Sequence, residues 1–135
     1  MGEKFMNELT LHHCSKRIAP GSLDFVMDLF GQLGCKESYR EDGAAWAMVE
    51  QDDRFIIQLI ETDQKPEATE KKSNSHIAFL SDDPKADIDE IGEWVEDRGF
   101  AFIDGQWSGR ERYFDCPEVF VDFVVEIMDR SVIEN

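Results

Sequence analysis

S-H-I-A-F-L-S, residues 75–81, alternates as a half-buried strand does, with Ile77 and Phe79 on one side and His76, Ala78 and Leu80 on the other. The next residues, D-D-P at 82–84, begin a helix in which Ile88, Ile91 and Val95 form one apolar stripe with Trp94 beside it. Gly99 ends that helix. Three extended candidates follow: F-A-F-I-D (100–104), R-E-R-Y-F-D (110–115) and V-F-V-D-F-V-V-E-I (119–127). The order is strand, helix, then three strands.

The first half of the chain has the same order. L-T-L-H-H-C-S-K-R-I (9–18) is read as a strand, and P-G-S (20–22) supplies turn and N-cap chemistry. Leu23, Val26, Met27, Phe30 and Leu33 then share one helical stripe, closed by Gly34. K-E-S-Y-R (36–40), A-A-W-A-M-V-E (44–50) and F-I-I-Q-L-I-E (55–61) are the strands that follow, separated by turns short enough for hairpins. Between the halves, residues 62–75 offer only Pro66 and Ala68 as apolar side chains and are expected to be an exposed linker.

Two copies of a βαβββ unit, module one at about 9–61 and module two at 76–128, predict a single α+β domain over 1–135. The copies pair about a pseudo-twofold axis and form a cleft. Its 135 residues are enough to bury a core without staples. Thirty Asp and Glu against 14 Lys and Arg give a net charge of -16, which opposes phosphate backbones and anionic lipid, so neither nucleic acid nor a membrane is expected as partner. The start M-G-E-K-F-M-N-E-L has no apolar signal core, and no apolar run is long enough to span a bilayer. Cys14, Cys35 and Cys116 form no C-x-x-C, which points to a reducing, cytoplasmic setting rather than a disulfide framework.

Symmetry directs attention to polar residues at matching places. Gln58 follows His13 by 45 residues, and Asp122 follows His76 by 46. Both His belong to the first strand of a unit, and Gln58 and Asp122 to the last. Burying Gln58 or Asp122 unpaired costs roughly 1–3 kcal/mol for the amide and more for the charge, so a shared cation or a hydrogen-bond network is expected. His12 rivals His13, because one residue of register exchanges their faces and His13 in the cleft puts Lys16 on the helix side.

The segments H-H-C-S (12–15), S-L-D-F (22–25), I-I-Q-L (56–59), S-H-I-A-F (75–79) and D-C-P-E-V-F-V-D-F-V (115–124) together resemble the vicinal-oxygen-chelate superfamily. Its members include glyoxalase I, fosfomycin-resistance proteins, extradiol dioxygenases and bleomycin-resistance proteins. The resemblance implies a divalent metal (Zn, Ni, Mn or Fe) held by His13, Gln58, His76 and Asp122, and a metal-dependent enzyme acting on a small molecule. Gln58 stands where glyoxalase I-like enzymes have a glutamate, and an amide accepts no proton at neutral pH, so the isomerase chemistry of that branch is not expected.

A binding protein is the alternative. Q-W-S-G-R-E-R-Y-F-D (106–115) resembles the W-G-R-E-F segment of bleomycin-resistance proteins, which implies a metal-free dimer sequestering a cationic small molecule. Trp46 and Trp107 offer flat stacking surfaces, and Arg110, Arg112 and Tyr113 can meet an anionic group or pair with the acidic surface. A homodimer is expected in either case.

Overall fold

The computed structural model describes residues 9–134; the first eight residues, read above for a signal core, lie outside that range. Module one runs β1 (Cys14–Ile18), α1 (Leu23–Gln32), β2 (Lys36–Arg40), β3 (Trp46–Gln51) and β4 (Phe55–Glu61). A short helix, α2 (Thr69–Lys72), precedes module two: β5 (His76–Ser81), α3 (Pro84–Asp97), β6 (Ile103–Ser108), β7 (Glu111–Asp115) and β8 (Val124–Asp129). The strand orders β1-β4-β3-β2 and β5-β8-β7-β6 are the same topology twice. In each sheet the first strand is parallel to the last and the other neighbours are antiparallel. The expected pair of βαβββ modules is therefore present.

The helices end as their sequences direct. Gly34 and Gly99 adopt φ of +98° and +84°, and the amide after each returns to a carbonyl of the last turn, Cys35 N to Phe30 O and Phe100 N to Val95 O. Asp83 caps α3, accepting from Ala86 N at 3.2 Å. The start of α1 differs from expectation. Ser22 Oγ donates to Ala19 O instead of capping, and the free Leu23 amide donates to Glu61 Oε2 at 3.0 Å, so the end of β4 closes the first turn of α1.

Alternation fixes two faces on each sheet. Ile18, Ala47, Val49, Ile57 and Leu59 of sheet one and Phe114, Val125 and Ile127 of sheet two are buried beneath the helices. The modules share this core: Phe25 of α1 stacks on Phe100 and Trp94 at centroid distances of 3.9 and 5.9 Å, and Phe30 meets Phe79. The helices thus lie on a common side, and the other face of each sheet is left open. The sheets also touch at an edge, where Ile18 bridges Phe120 and Val121 N donates to Arg17 O.

Four segments depart from the sequence reading, among them the last strand, which begins at Val124, five residues later than V-F-V-D-F-V-V-E-I suggested. Residues 9–13 lie outside β1, and β6 begins three residues later than F-A-F-I-D suggested, bringing Trp107 into the strand. The linker is anchored. Lys72 is 2% exposed; its Nζ lies 2.9 Å from Asp115 Oδ1 and donates to Phe120 O, while Thr69 Oγ1 donates to Asp115 Oδ2 at 2.6 Å. A long aliphatic stem ending in a compensated charge docks this segment without apolar residues, which is why hydrophobicity gave no signal.

Candidate functional site

The open face of sheet two holds the most organised group. His76 and Glu126 extend from neighbouring strands, with Nε2 and Oε1 3.3 Å apart. His76 Nδ1 lies 3.0 Å from Ser73 O; a carbonyl only accepts, so Nδ1 carries a proton and Nε2 is the ring atom turned to the carboxylate. Glu126 is only 5% exposed. Burial pushes its carboxyl above the usual range, His76 opposes that, and Glu111 adds to it. Nε2 and Oε1 at this distance share a proton or a cation between them, and imidazole nitrogen and carboxylate oxygen are both donor types that divalent ions accept.

Around this pair lie two aromatic rings. Trp107 is 5.1 Å from the His76 ring and 4.7 Å from Tyr113. His76 and Trp107 belong to opposite edge strands of sheet two, so their contact means that the sheet curls into a trough with Glu126 toward its floor.

On sheet one, Ser15 pairs with Gln58 in the β1–β4 register and its hydroxyl donates to Gln58 Oε1. Carried back one residue, that register sets His13 opposite Ile56, with Gln58 two residues further on. His76 is opposite Val124, with Glu126 two further on. The counterpart of His13 and Gln58 is therefore His76 and Glu126. Asp122 precedes β8 and is occupied elsewhere, with its Oδ2 3.2 Å from Arg17 Nε and its Oδ1 accepting from Arg17 N. Counting by 46 missed Glu126 because His76 to Glu126 spans 50 residues against 45 from His13 to Gln58, with three of the extra residues in the β7–β8 connection and two before Gly99. Register on an assembled sheet, which the sequence does not display, was the missing signal.

His12 and His13 are both exposed, their Nδ1 atoms 2.8 Å apart. Lys16 does lie on the helix side, and its Nζ reaches Ser75 Oγ at 3.2 Å, which accommodates it there. Among the described residues, no three His, Cys, Asp or Glu side chains converge on one point; a single chain does not assemble His13, His76 and Asp122 into one metal site. The aromatic and basic candidates also separate. Trp46 is on sheet one, stacked on Tyr39. Arg112 alternates with Tyr113, on the side of buried Phe114, and Arg110 in the β6–β7 turn lies 3.4 Å from Ser131 O and Oγ.

A groove of about 1020 Å³ runs along β1 and β5, lined by Leu29, Leu33, Ile57, Phe79 and Ile91 together with His12, His13 and His76. Glu126, Gln58, Trp107 and Tyr113 are not part of its lining. The groove offers apolar volume, whereas the trough offers an imidazole nitrogen, a desolvated carboxylate and flat rings, so chemistry favours the trough. The cysteines are free thiols; burial pushes Cys35 up to about 11 and Cys116 higher still, which leaves them poor nucleophiles.

No family model matches the chain, and no curated protein matches its sequence. Solved structures do. The fosfomycin resistance protein FosX from Mesorhizobium loti is 21% identical over 89% of this chain and 91% of its own, with a TM-score of 0.55. A variant of FosX from Listeria monocytogenes, solved with Mn(II) and 1S,2S-dihydroxypropylphosphonic acid, is 17% identical over 89% and 91%, with a TM-score of 0.56. A glyoxylase/bleomycin resistance protein/dioxygenase domain from Frankia sp. EAN1pec is 18% identical over 91% and 93%, at 0.54. This chain has the fold of these structures. At such identities the likeness establishes the fold and no activity.

Proposed function

We propose that the protein is a metal-dependent enzyme acting on a small molecule, working as a cytoplasmic homodimer. The observation that carries this reading is the His76–Glu126 pair with its Ser73-locked tautomer, repeated in register by His13 and Gln58. One sheet supplies an imidazole and a carboxylate, and the other an imidazole and an amide oxygen. In one chain the helices share a side and the open faces do not cover each other. A second copy that lays its sheet one over the trough of sheet two joins His13 and Gln58 to the partner subunit's His76 and Glu126. Half-exposed Met48, Ile56 and Ile60 lie on the open face of sheet one and give it an apolar surface to bury.

A divalent ion there supplies Lewis acidity for a substrate offering adjacent oxygen atoms. The chain's own residues do the rest. Ser73 O holds the His76 proton on Nδ1, burial makes Glu126 a better proton acceptor than an exposed carboxylate, and Trp107 shields the pair from water. Gln58 transfers no proton and serves as an oxygen donor oriented by Ser15. Glu126 replaces Asp122 in the ligand set expected from sequence.

The test is metal binding to protein purified without chelator, measured by elemental analysis and by titration with Zn, Ni, Mn and Fe(II). Near-stoichiometric metal is expected in wild type, with loss in His76→Ala and Glu126→Gln but retention in Asp122→Ala. Wild-type protein that stays metal-free after incubation with all four ions overturns the proposal and leaves a binding protein.

A further inference from the structure

The imidazole of the trough is held by a segment that belongs to neither sheet. We propose that the buried Lys72–Asp115 pair is a positioning device for His76: it fixes the α2 carbonyl that keeps the ring proton on Nδ1, which leaves Nε2 free to donate its electron pair. The use of Nε2 as a metal ligand rests on the reading above, whereas the placement of the proton does not.

Two acceptors compete for that proton. His76 Nδ1 lies 3.0 Å from Ser73 O, and Nε2 lies 3.3 Å from Glu126 Oε1. A neutral ring has one N–H to give. Glu126 alone would draw it to Nε2, and a protonated nitrogen has no lone pair for a cation. Ser73 O opposes this because of where it stands. Ser73 is the C-cap of α2, so its carbonyl lacks a partner within the helix and gains one from the ring. The preceding carbonyl, Lys72 O, is already taken by Ser75 N at 2.9 Å.

A carbonyl selects a tautomer only if it cannot retreat. A helix of 4 residues does not hold itself together in water, so α2 depends on its anchors. Thr69 Oγ1 donates to Asp115 Oδ2 at 2.6 Å, and Lys72 Nζ stands 2.9 Å from Asp115 Oδ1 while also donating to Phe120 O. Thr69 and Lys72 are one turn apart, so both ends of that turn are clamped to a single carboxylate of β7. Beyond Ser73 the chain is held again: Val124 N donates to Ser75 O at 3.0 Å, and Lys16 Nζ to Ser75 Oγ at 3.2 Å. Ser73 O is thereby fixed between the clamp and the start of the β5–β8 pairing, within reach of the His76 ring.

The chain has three histidines, so the ring-nitrogen chemical shifts of protein isotopically labelled at histidine can be assigned individually. Spectra are taken on the full-length protein in EDTA near pH 9, above the imidazole range of about 6–7, where the ring is neutral. Wild type is expected to show His76 protonated on Nδ1 and bare on Nε2. Lys72→Ala should move most of the population to Nε2–H while His12 and His13 stay unchanged. Lys72→Met combined with Asp115→Leu re-docks α2 through apolar contact and should return the proton to Nδ1. A parallel Zn titration should weaken about tenfold in Lys72→Ala and recover in the double variant. Circular dichroism establishes that each variant is folded; if Lys72→Ala is not, Thr69→Val, which loosens the clamp without stranding a charge, decides by a smaller shift in the same direction. Wild type with the proton on Nε2, a folded single variant with His76 unaltered, or a double variant that does not restore Nδ1–H overturns the proposal. The spectra need no metal. If Zn never binds, the ligand reading fails and the control of the proton stands, whereas unaltered spectra strike this proposal and leave metal binding by His76 and Glu126 to its own test.

Discussion

Lys72 Nζ lies 2.9 Å from Asp115 Oδ1 with both side chains fully buried, joining the segment between the modules to β7. Thr69 and Phe120 O complete the polar contacts, so the pair is compensated where it stands. Removing one partner strands the other charge in a dry site. Lys72→Ala is expected to cost about 3–5 kcal/mol in denaturant unfolding, whereas Lys72→Met combined with Asp115→Leu should be near neutral. Equal destabilisation by the single and double variants contradicts this account.

Glu126 carries a function–stability conflict. Its folded-state carboxyl is pushed upward by burial, so between the unfolded value of about 4.3 and the higher folded value the native state binds more protons than the unfolded state. Its contribution is then fully present below the unfolded value and is lost as pH rises through the folded one. Glu126→Gln should therefore flatten this part of the pH–stability curve and be at least as stable as wild type at pH 7. A wild-type curve without such a fall, or a clearly less stable variant, argues against a desolvated carboxylate.

Gly92 faces Phe102, where a Cβ would lie 2.7 Å from the ring. Gly92→Ala should lower stability by about 1–3 kcal/mol through overpacking, despite the better helix propensity of alanine. A gain in melting temperature would show that the α3–Phe102 contact yields without cost.

Gly105→Ala tests the trough without touching a charged group. The added methyl must displace Tyr113, and with it the stack on Trp107, so tryptophan near-ultraviolet dichroism should change while the far-ultraviolet spectrum is kept. An unaltered near-ultraviolet spectrum contradicts the close Gly105–Tyr113 approach.

Metal affinity in the proposed site should weaken as pH is lowered, since His76 and Glu126 must lose any shared proton before both can ligate. Titrations of wild type at several pH values check this, and affinity independent of pH would exclude His76 as a ligand.

The sequence by itself determined the two modules, because strand and helix periods are local and each helix carries its own stop signal at Gly34 and Gly99. Alternation likewise put Ile57 and Leu59 under the helix and Gln58 on the opposite face, and it marked His76 as a strand residue on an open face. Tertiary structure alone decided the partner of His76. Alternation alone places Glu126 and Asp122 on the same side of the chain's last stretch, and choosing between them needs the β5–β8 register and the contact of Asp122 with Arg17. The buried Lys72 was hidden for a related reason: composition reports the average polarity of a segment, whereas burial of a charge depends on one compensating group that arrives from a distant strand.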